Sequence, residues 1–155
     1  MKKKPVIVTI VIVAAAAILI GGGIYLYPHL VERTVSQIVK NDMNNILEIN
    51  LINWDNAKRS AQVTDKEEID DIVAMIKDLK AKKRFDQRDS DGGGLMIIMK
   101  TSNGEDITLS CWNDINGVKY NLLAEEKELF NISQYIKEKY GLNEWPEEEM
   151  AEAAE

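Results

Sequence analysis

The chain opens on an unbroken apolar stretch. From Val6 to Leu26, 21 residues, the only polar side-chain groups are the hydroxyls of Thr9 and Tyr25. A helix of that length is about 31 Å long, close to the roughly 30 Å hydrocarbon core of a bilayer. A cleavable signal peptide has a shorter apolar region before a small-residue site, whereas here the small residues lie inside the run. The pattern predicts a transmembrane signal anchor over residues 1–27, with a cleaved leader as the alternative.

Charge around this stretch predicts its orientation. Three lysines precede it, and the positive-inside rule then places the N-terminus in the cytoplasm and residues 28–155 outside the cell membrane as a single-pass protein. The bilayer is thus the first predicted partner, through residues 6–27. Amphipathic rings suit the membrane–water boundary, and the outer boundary is assigned to Tyr25, Tyr27 and His29.

A second helical pattern follows the anchor. Apolar residues recur at helical spacing at six positions: Leu30, Val31, Val35, Ile38, Val39 and Met43. Since proline suits the first position of a helix, the predicted juxtamembrane helix covers residues 28–44 and begins at Pro28. It packs on its own domain, or, as the alternative, pairs chains into a homo-oligomer through residues 30–43.

The next elements are two strands and a helix. Alternating apolar residues predict a strand over 46–52, with Leu47, Ile49 and Leu51 inward, and a returning strand over 60–63. A capping box, Thr64 with Glu67, begins a helix predicted over 65–82. Basic residues gather at its end, where they form a solvated terminus or, alternatively, a docking patch for an acidic partner or a lipid headgroup: Lys77, Lys80, Lys82, Lys83 and Arg84.

Residues 95–122 are predicted to form a three-stranded meander. Asn103-Gly104 and Asn116-Gly117 are favoured pairs for two-residue hairpin turns. Those turns place one set of side chains on the core face: Met96, Ile98, Ile107, Leu109, Cys111 and Leu122. The opposite face then carries Ile97, Met99, Thr108, Ser110 and Trp112. We assign partner binding to four residues of that face, with Trp112 as the anchor: Trp112, Ile97, Met99 and Ser110.

The last predicted helix lies within residues 125–140 and stops at Gly141, and an acidic flexible tail covers 142–155. The predicted fold class is therefore α+β. One transmembrane helix precedes a small domain over residues 45–141, with an antiparallel sheet of 4–5 strands and two or three helices.

Composition excludes several classes of function. Residues from Pro28 onward include 16 basic and 26 acidic residues, a net charge of −10. This acidity disfavours a nucleic-acid partner and adsorption flat on anionic lipid. Cys111 is the only cysteine and His29 the only histidine, so neither an intrachain disulfide nor a structural zinc cluster is predicted. No catalytic, cofactor-binding or metal-binding residue is predicted, and the chain is not predicted to be an enzyme.

The segment 86–92, with sequence DQRDSDG, invites comparison with a calcium loop. Aligning Gly92 with the invariant glycine of an EF-hand puts Ile98 where a bidentate Glu is required, which excludes an EF-hand. An exposed flexible loop is predicted, and a weak calcium contact is the alternative.

The helix start TDKEEI at residues 64–69 and an NG…Y hairpin, behind a lysine-rich anchor, carry a resemblance. Over about residues 44–140 the chain resembles small uncharacterised membrane-anchored or lipoprotein-like extracytoplasmic proteins of Gram-positive bacteria. The acceptor cysteine of the lipidated members is absent. The resemblance implies export and a small α+β domain, and it implies no activity.

These features favour a membrane-anchored extracytoplasmic module that binds or regulates a partner envelope protein without catalysis. One alternative is an accessory subunit that contacts a membrane complex through its span. Another is a small carboxylate-dependent hydrolase of the cell envelope, since two carboxyl groups in a cleft can perform acid–base hydrolysis.

Overall fold

The structure of the chain is a computed structural model that describes residues 4–54, 59–88 and 94–143. The chain divides into two compact units, Met1–Val31 and Glu32–Glu155. The described helices are α1 (Lys4–Leu30), α2 (Val35–Val39), α3 (Lys66–Ile76) and α4 (Glu126–Lys139). The described strands are β1 (Arg33–Thr34), β2 (Ile46–Asn53), β3 (Arg59–Val63), β4 (Lys80–Lys83), β5 (Leu95–Thr101), β6 (Asp106–Ser110), β7 (Asp114–Ile115) and β8 (Val118–Leu122).

The first unit is the helix α1. Its residues Val11–Leu30 are long and apolar enough to cross a membrane. The prediction that Pro28 begins a new helix is wrong, because α1 continues through Pro28 to Leu30 and the Val31 N–H donates to the Tyr27 carbonyl at 3.1 Å. The residues predicted at the outer membrane boundary lie in the last turns of α1, where the rings of Tyr25 and His29 are 5.6 Å apart and Tyr25 and Tyr27 are exposed.

The single helix predicted over residues 28–44 is also wrong. After α1 the chain forms β1, and Thr34 then caps the five-residue α2 in a capping box with Gln37. Val35 and Met43, two members of the predicted helical stripe, are buried in the core of the second unit. Packing within this domain therefore accounts for these two positions, and the pairing of chains through residues 30–43 stays a prediction.

The described strands form one antiparallel sheet of eight strands, in the order β1-β4-β8-β7-β6-β5-β2-β3. The α+β class is confirmed, and the prediction of 4–5 strands is too low. The strands that sequence reasoning missed are short or basic, namely β1, β4 and β7. The strand predicted over 60–63 corresponds to β3.

The helix predicted over 65–82 ends early. Its N-cap is Asp65 and not Thr64, since the Asp65 carboxylate accepts from the N–H groups of Glu67 and Glu68. The apolar face of α3 ends at Ile76, and the buried residues that follow, Leu79 and Ala81, are two apart, which is the period of a strand. The basic residues assigned to a helix end therefore lie mostly on β4, between β1 and β8.

The helix α4 agrees with the prediction, and Gly141 terminates it with a left-handed φ of 65°. The Gly141 N–H donates to the Glu138 carbonyl and the Leu142 N–H to the Lys137 carbonyl, which is the Schellman pattern. Leu142 is buried, so the domain extends past the predicted boundary at 141. Residues 144–155 of the predicted tail lie outside the described part.

One face of the sheet and the helices α2, α3 and α4 enclose the core. It contains Val35, Met43, Ile46, Ile49, Leu51, Val63, Ile69, Ile72, Val73, Ile76, Leu79, Leu95, Ile97, Met99, Ile107, Leu109, Ile115, Ile136 and Leu142. Along β2, Ile49 and Leu51 are buried as predicted, whereas Leu47 is exposed. The reason is a register shift between Ile46 and Glu48, which makes Leu47 an extra residue in the ladder and turns Ile46 inward.

Candidate functional site

The register of the β5–β6 hairpin decides which residues the sheet presents on its two faces. Ile97 lies opposite Leu109 and Ile98 opposite Thr108, whereas a two-residue turn at Asn103-Gly104 would have placed Ile98 opposite Leu109. The observed loop has three residues, because the Thr101 N–H donates to the Glu105 carbonyl at 3.1 Å. A shift of one residue moves every side chain of a strand to the other face.

The predicted assignment of faces on β5 is therefore wrong. Ile97 and Met99, proposed as exposed partner-binding residues, are 1% and 0% exposed and belong to the core. Met96 and Ile98, predicted as core residues, are half-buried on the opposite face, where they lie opposite Ser110 and Thr108. Ser110 keeps its predicted place on this face.

Trp112 and Cys111 do not lie on a strand, and their predicted positions are wrong as well. Both residues have positive φ, 49° for Cys111 and 58° for Trp112, and the Asn113 N–H donates to the Ser110 carbonyl at 3.2 Å. They form a tight turn between β6 and β7, and Trp112 packs partly against the core. The two-residue turn at Asn116-Gly117 is confirmed, with Ile115 opposite Val118.

The face of the sheet opposite the core carries two uncharged rows across β3, β2, β5 and β6. The observed pairings place in one row Gln62, Asn50, Ile98 and Thr108, and in the next Ser60, Ile52, Met96 and Ser110. We call these eight residues the outer face. They carry no charge, although 29% of the chain is charged.

The outer face takes no part in the core. The buried residues of α2, α3 and α4 all belong to the core cluster on the other side of the sheet. Ile52, Met96 and Ile98 are outside that cluster and keep part of their surface exposed. They form an aliphatic stripe across two neighbouring strands, flanked by hydroxyl and amide groups.

Ion pairs border the outer face. On one side Lys100 Nζ lies 2.8 Å from Glu48 Oε1, with Asp106 beyond Lys100 in the same row. On the other side Lys119 Nζ lies 2.9 Å from Asp114 Oδ2, and both side chains are largely buried. The border of the outer face is therefore charged, while the centre of the outer face is aliphatic. Protein interfaces have the same arrangement, with an apolar core and a polar rim.

The border carboxylate Glu48 is held in its charged form. The hydrogen bond from Lys100 and a second from Asn50 Nδ2, at 2.7 Å, lower the pKa of Glu48. Because its pKa is lower in the folded state, this carboxylate stabilises the fold above its unfolded-state pKa, and the contribution is lost as the pH falls through the folded-state pKa.

We expect Lys100→Gln to raise the pKa of Glu48 toward its ordinary value. The stabilities of wild type and variant, compared by urea unfolding of the full chain in micelles, should differ near neutral pH and converge in acid. The pKa of Glu48 itself is measured from its carboxyl carbon shift in an NMR titration. Lys66→Gln, which removes the partner of Asp70 on α3, is the matched control and should leave the Glu48 titration unchanged. An unchanged Glu48 titration in Lys100→Gln would contradict the assigned cause.

The first three residues of the segment 86–92, for which a weak calcium contact was the alternative, have other partners. Gln87 Oε1 accepts from the Lys119 N–H at 2.9 Å, and Gln87 Nε2 donates to the Lys119 carbonyl at 3.2 Å. Asp86 pairs with Arg88 at 2.6 Å, and the hydrogen bonds from Arg88 lower the pKa of Asp86. Residues 89–92 lie outside the described residues. Over the ranges that the structure describes, no group of three metal-ligating side chains is found.

Two grooves lie beside the helices. One, of about 510 Å³, is lined by Ala74 and Met75 of α3 and by residues of α4 that include Glu128 and Ile132. The other, of about 520 Å³, brings Lys80 together with the carboxylates of Glu32, Asp78 and Glu128. Both are wide open to solvent.

No protein-family model, curated protein or solved structure matches the chain. The resemblance to small extracytoplasmic proteins of Gram-positive bacteria stays a prediction.

Proposed function

We propose that the chain is a single-pass, membrane-anchored protein that binds another protein of the cell envelope through its outer face. The observation that carries this proposal is the uncharged, half-buried stripe of Ile52, Met96 and Ile98, which the core leaves unused. Anchoring is supported by the length and apolar composition of α1. The three lysines before it favour a cytoplasmic N-terminus and an extracytoplasmic domain.

The composition of the outer face defines the chemistry of its partner. Interface cores are depleted in charged residues, and their affinity rests on apolar contacts surrounded by satisfied hydrogen bonds. The hydroxyl and amide groups of Ser60, Gln62, Thr108 and Ser110 can exchange hydrogen bonds with a neighbouring backbone or with uncharged side chains. A complementary partner surface is therefore uncharged and partly aliphatic, with charges only at its edge.

Site-specific photocrosslinking in intact cells tests this proposal. We expect a photoreactive residue at Met96 or Ile98 to give one discrete adduct, and the same residue at Asp71, exposed on α3, to give none. A substitution on the outer face tests whether the adduct depends on that face. Thr108→Lys, which puts a charge beside the stripe, should remove the adduct formed at Met96 while the protein stays folded and anchored.

Each other outcome contradicts part of the proposal. An adduct with the mass of two copies would assign the outer face to self-association. Equal adducts at Met96 and Asp71 would show that the face is not a specific site. The span-mediated alternative is separated by replacing residues 1–27 with an unrelated anchor, which should leave the adduct in place if the outer face carries the binding.

A further inference from the structure

Charge is segregated in the second unit. The segments 33–36 and 77–84 together carry six basic residues and one acidic residue, Asp78. The basic ones are Arg33, Lys77, Lys80, Lys82, Lys83 and Arg84. The domain as a whole carries a net charge of −10 from Pro28 onward, so these two segments oppose the sign of the rest.

The fold brings the two segments together at one edge of the sheet. Arg33 pairs with Ala81 and Thr34 with Lys80, while the N–H groups of Val35 and Ser36 donate to the carbonyls of Leu79 and Lys77, each at 3.0 Å. All six basic side chains are at least partly exposed. We call these six residues the basic edge.

Apolar side chains flank the basic edge. Phe85 follows Arg84 and is 59% exposed, and Leu123, whose N–H donates to the Lys80 carbonyl at 2.7 Å, is 42% exposed. Basic residues interspersed with exposed aromatic and leucine side chains are the composition of surfaces that bind the headgroup region of a membrane. The ionic and the apolar contributions then act at the same boundary.

Nearby carboxylates reduce this positive charge only in part. Lys82 Nζ lies 3.2 Å from Glu32 Oε1, and Lys80 shares its groove with Glu32, Asp78 and Glu128. Exposed ion pairs of this kind are weak and exchange readily with other anions. Asp86, two residues after Arg84, attracts Arg84 in the same way. The six basic residues of the edge still outnumber these four carboxylates.

The connection to α1 is short. Only Val31 and Glu32 separate Leu30, the last residue of α1, from Arg33 at the start of β1. Two extended residues cover about 7 Å. A spanning α1 therefore keeps the basic edge within reach of the headgroups where its span ends.

We propose that the basic edge binds anionic lipid headgroups of the membrane that holds α1, with Phe85 and Leu123 entering the interface. This inference rests on the anchoring in the proposed function. It also answers the objection from net charge, because the contact is made by the basic edge and does not require the domain as a whole to be basic. The contact would fix the orientation in which the outer face is presented to a partner.

Lysine footprinting of the full chain in nanodiscs tests the proposal. Acetylation rates are measured residue by residue, in neutral phosphatidylcholine and with about 30% phosphatidylglycerol. We expect the rates of Lys82 and Lys83 to fall about threefold in the anionic discs, and to recover in about 500 mM salt, which screens the attraction. Lys66 and Lys127, exposed at the starts of α3 and α4, are controls within the same sample and should not change.

Two double variants distinguish binding by the basic edge from an effect of net charge alone. Lys83→Glu with Arg84→Glu should abolish the protection of Lys82, whereas Lys66→Glu with Lys127→Glu, which changes net charge equally, should not. Rates at Lys82 and Lys83 that do not differ between neutral and anionic discs would overturn the proposal. Protection in neutral discs by soluble polyphosphate, equal to that by lipid, would assign the edge to a soluble polyanion instead. A chain that fails to incorporate into discs at all would overturn the anchoring, and with it the proposed function.

Discussion

Ile97→Ala should lower the free energy of unfolding by about 3 kcal/mol, whereas Ile98→Ala, one position along β5, should lower it by less than about 1 kcal/mol. Ile97 is 1% exposed and packed in the core, so its truncation removes apolar burial and leaves a cavity. Ile98 lies on the outer face and is half-buried, so water can fill the space that its truncation opens. The two substitutions remove the same atoms from neighbouring positions and therefore control for each other.

Urea unfolding of the full chain in micelles, followed by tryptophan fluorescence, measures both costs. The slope of the unfolding free energy against urea should stay unchanged in both variants, which shows that the same surface is exposed on unfolding. Equal costs, or a larger cost for Ile98→Ala, would support the register that a two-residue turn at Asn103-Gly104 would impose. The outer face would then consist of Ile97 and Met99, and the crosslinking positions would change with it.

Several elements were predictable because a short stretch of sequence is enough to determine them. The apolar run of α1, the alternation in β2, and the stop at Gly141 each have a local physical cause, and each element is present. Asn116-Gly117 forms its predicted turn, because two consecutive residues with positive φ suit Asn and Gly.

Elements that depend on tertiary pairing were not predictable in the same way. Leu95 to Met99 are five consecutive apolar residues, so the alternation that would identify the buried face is absent. The loop length at Asn103-Gly104 then decided the register, and it is one residue longer than the favoured turn. The basic residues of β4 are typical of a helix end in sequence, and only pairing with β1 and β8 makes them a strand.

For the candidate sites too, residues whose position has a local cause were predictable, and residues whose position depends on tertiary pairing were not. Ser110 could be placed on the correct face because polar and apolar residues alternate along β6. Ile97, Met99 and Trp112 could not, because a one-residue shift reverses a strand and a turn at Cys111 interrupts it. The basic edge was visible in sequence as a cluster after α3, with a headgroup patch as one interpretation. Its position beside β1, two residues after α1, required the sheet order.

Asn53→Ala should lower the free energy of unfolding by about 2–3 kcal/mol, a large effect for one polar side chain. Asn53 is the last residue of β2 and only 1% exposed. Its Nδ2 donates to the Leu142 carbonyl at 2.9 Å, across 89 residues of sequence. The substitution leaves this buried carbonyl without that donor, and the desolvation of the carbonyl is then uncompensated.

Asn50→Ala is the matched control for Asn53→Ala, because it removes the same group from the same strand on the outer face, where Asn50 Nδ2 donates to Glu48. We expect this control to cost less than about 1 kcal/mol, since water can replace the lost donor. Asn53→Asp should be at least as destabilising as Asn53→Ala, because a carboxylate cannot donate to the carbonyl and introduces a buried charge. Similar small costs for all three substitutions would show that the bond between β2 and the segment after α4 does not hold these ends of the fold together.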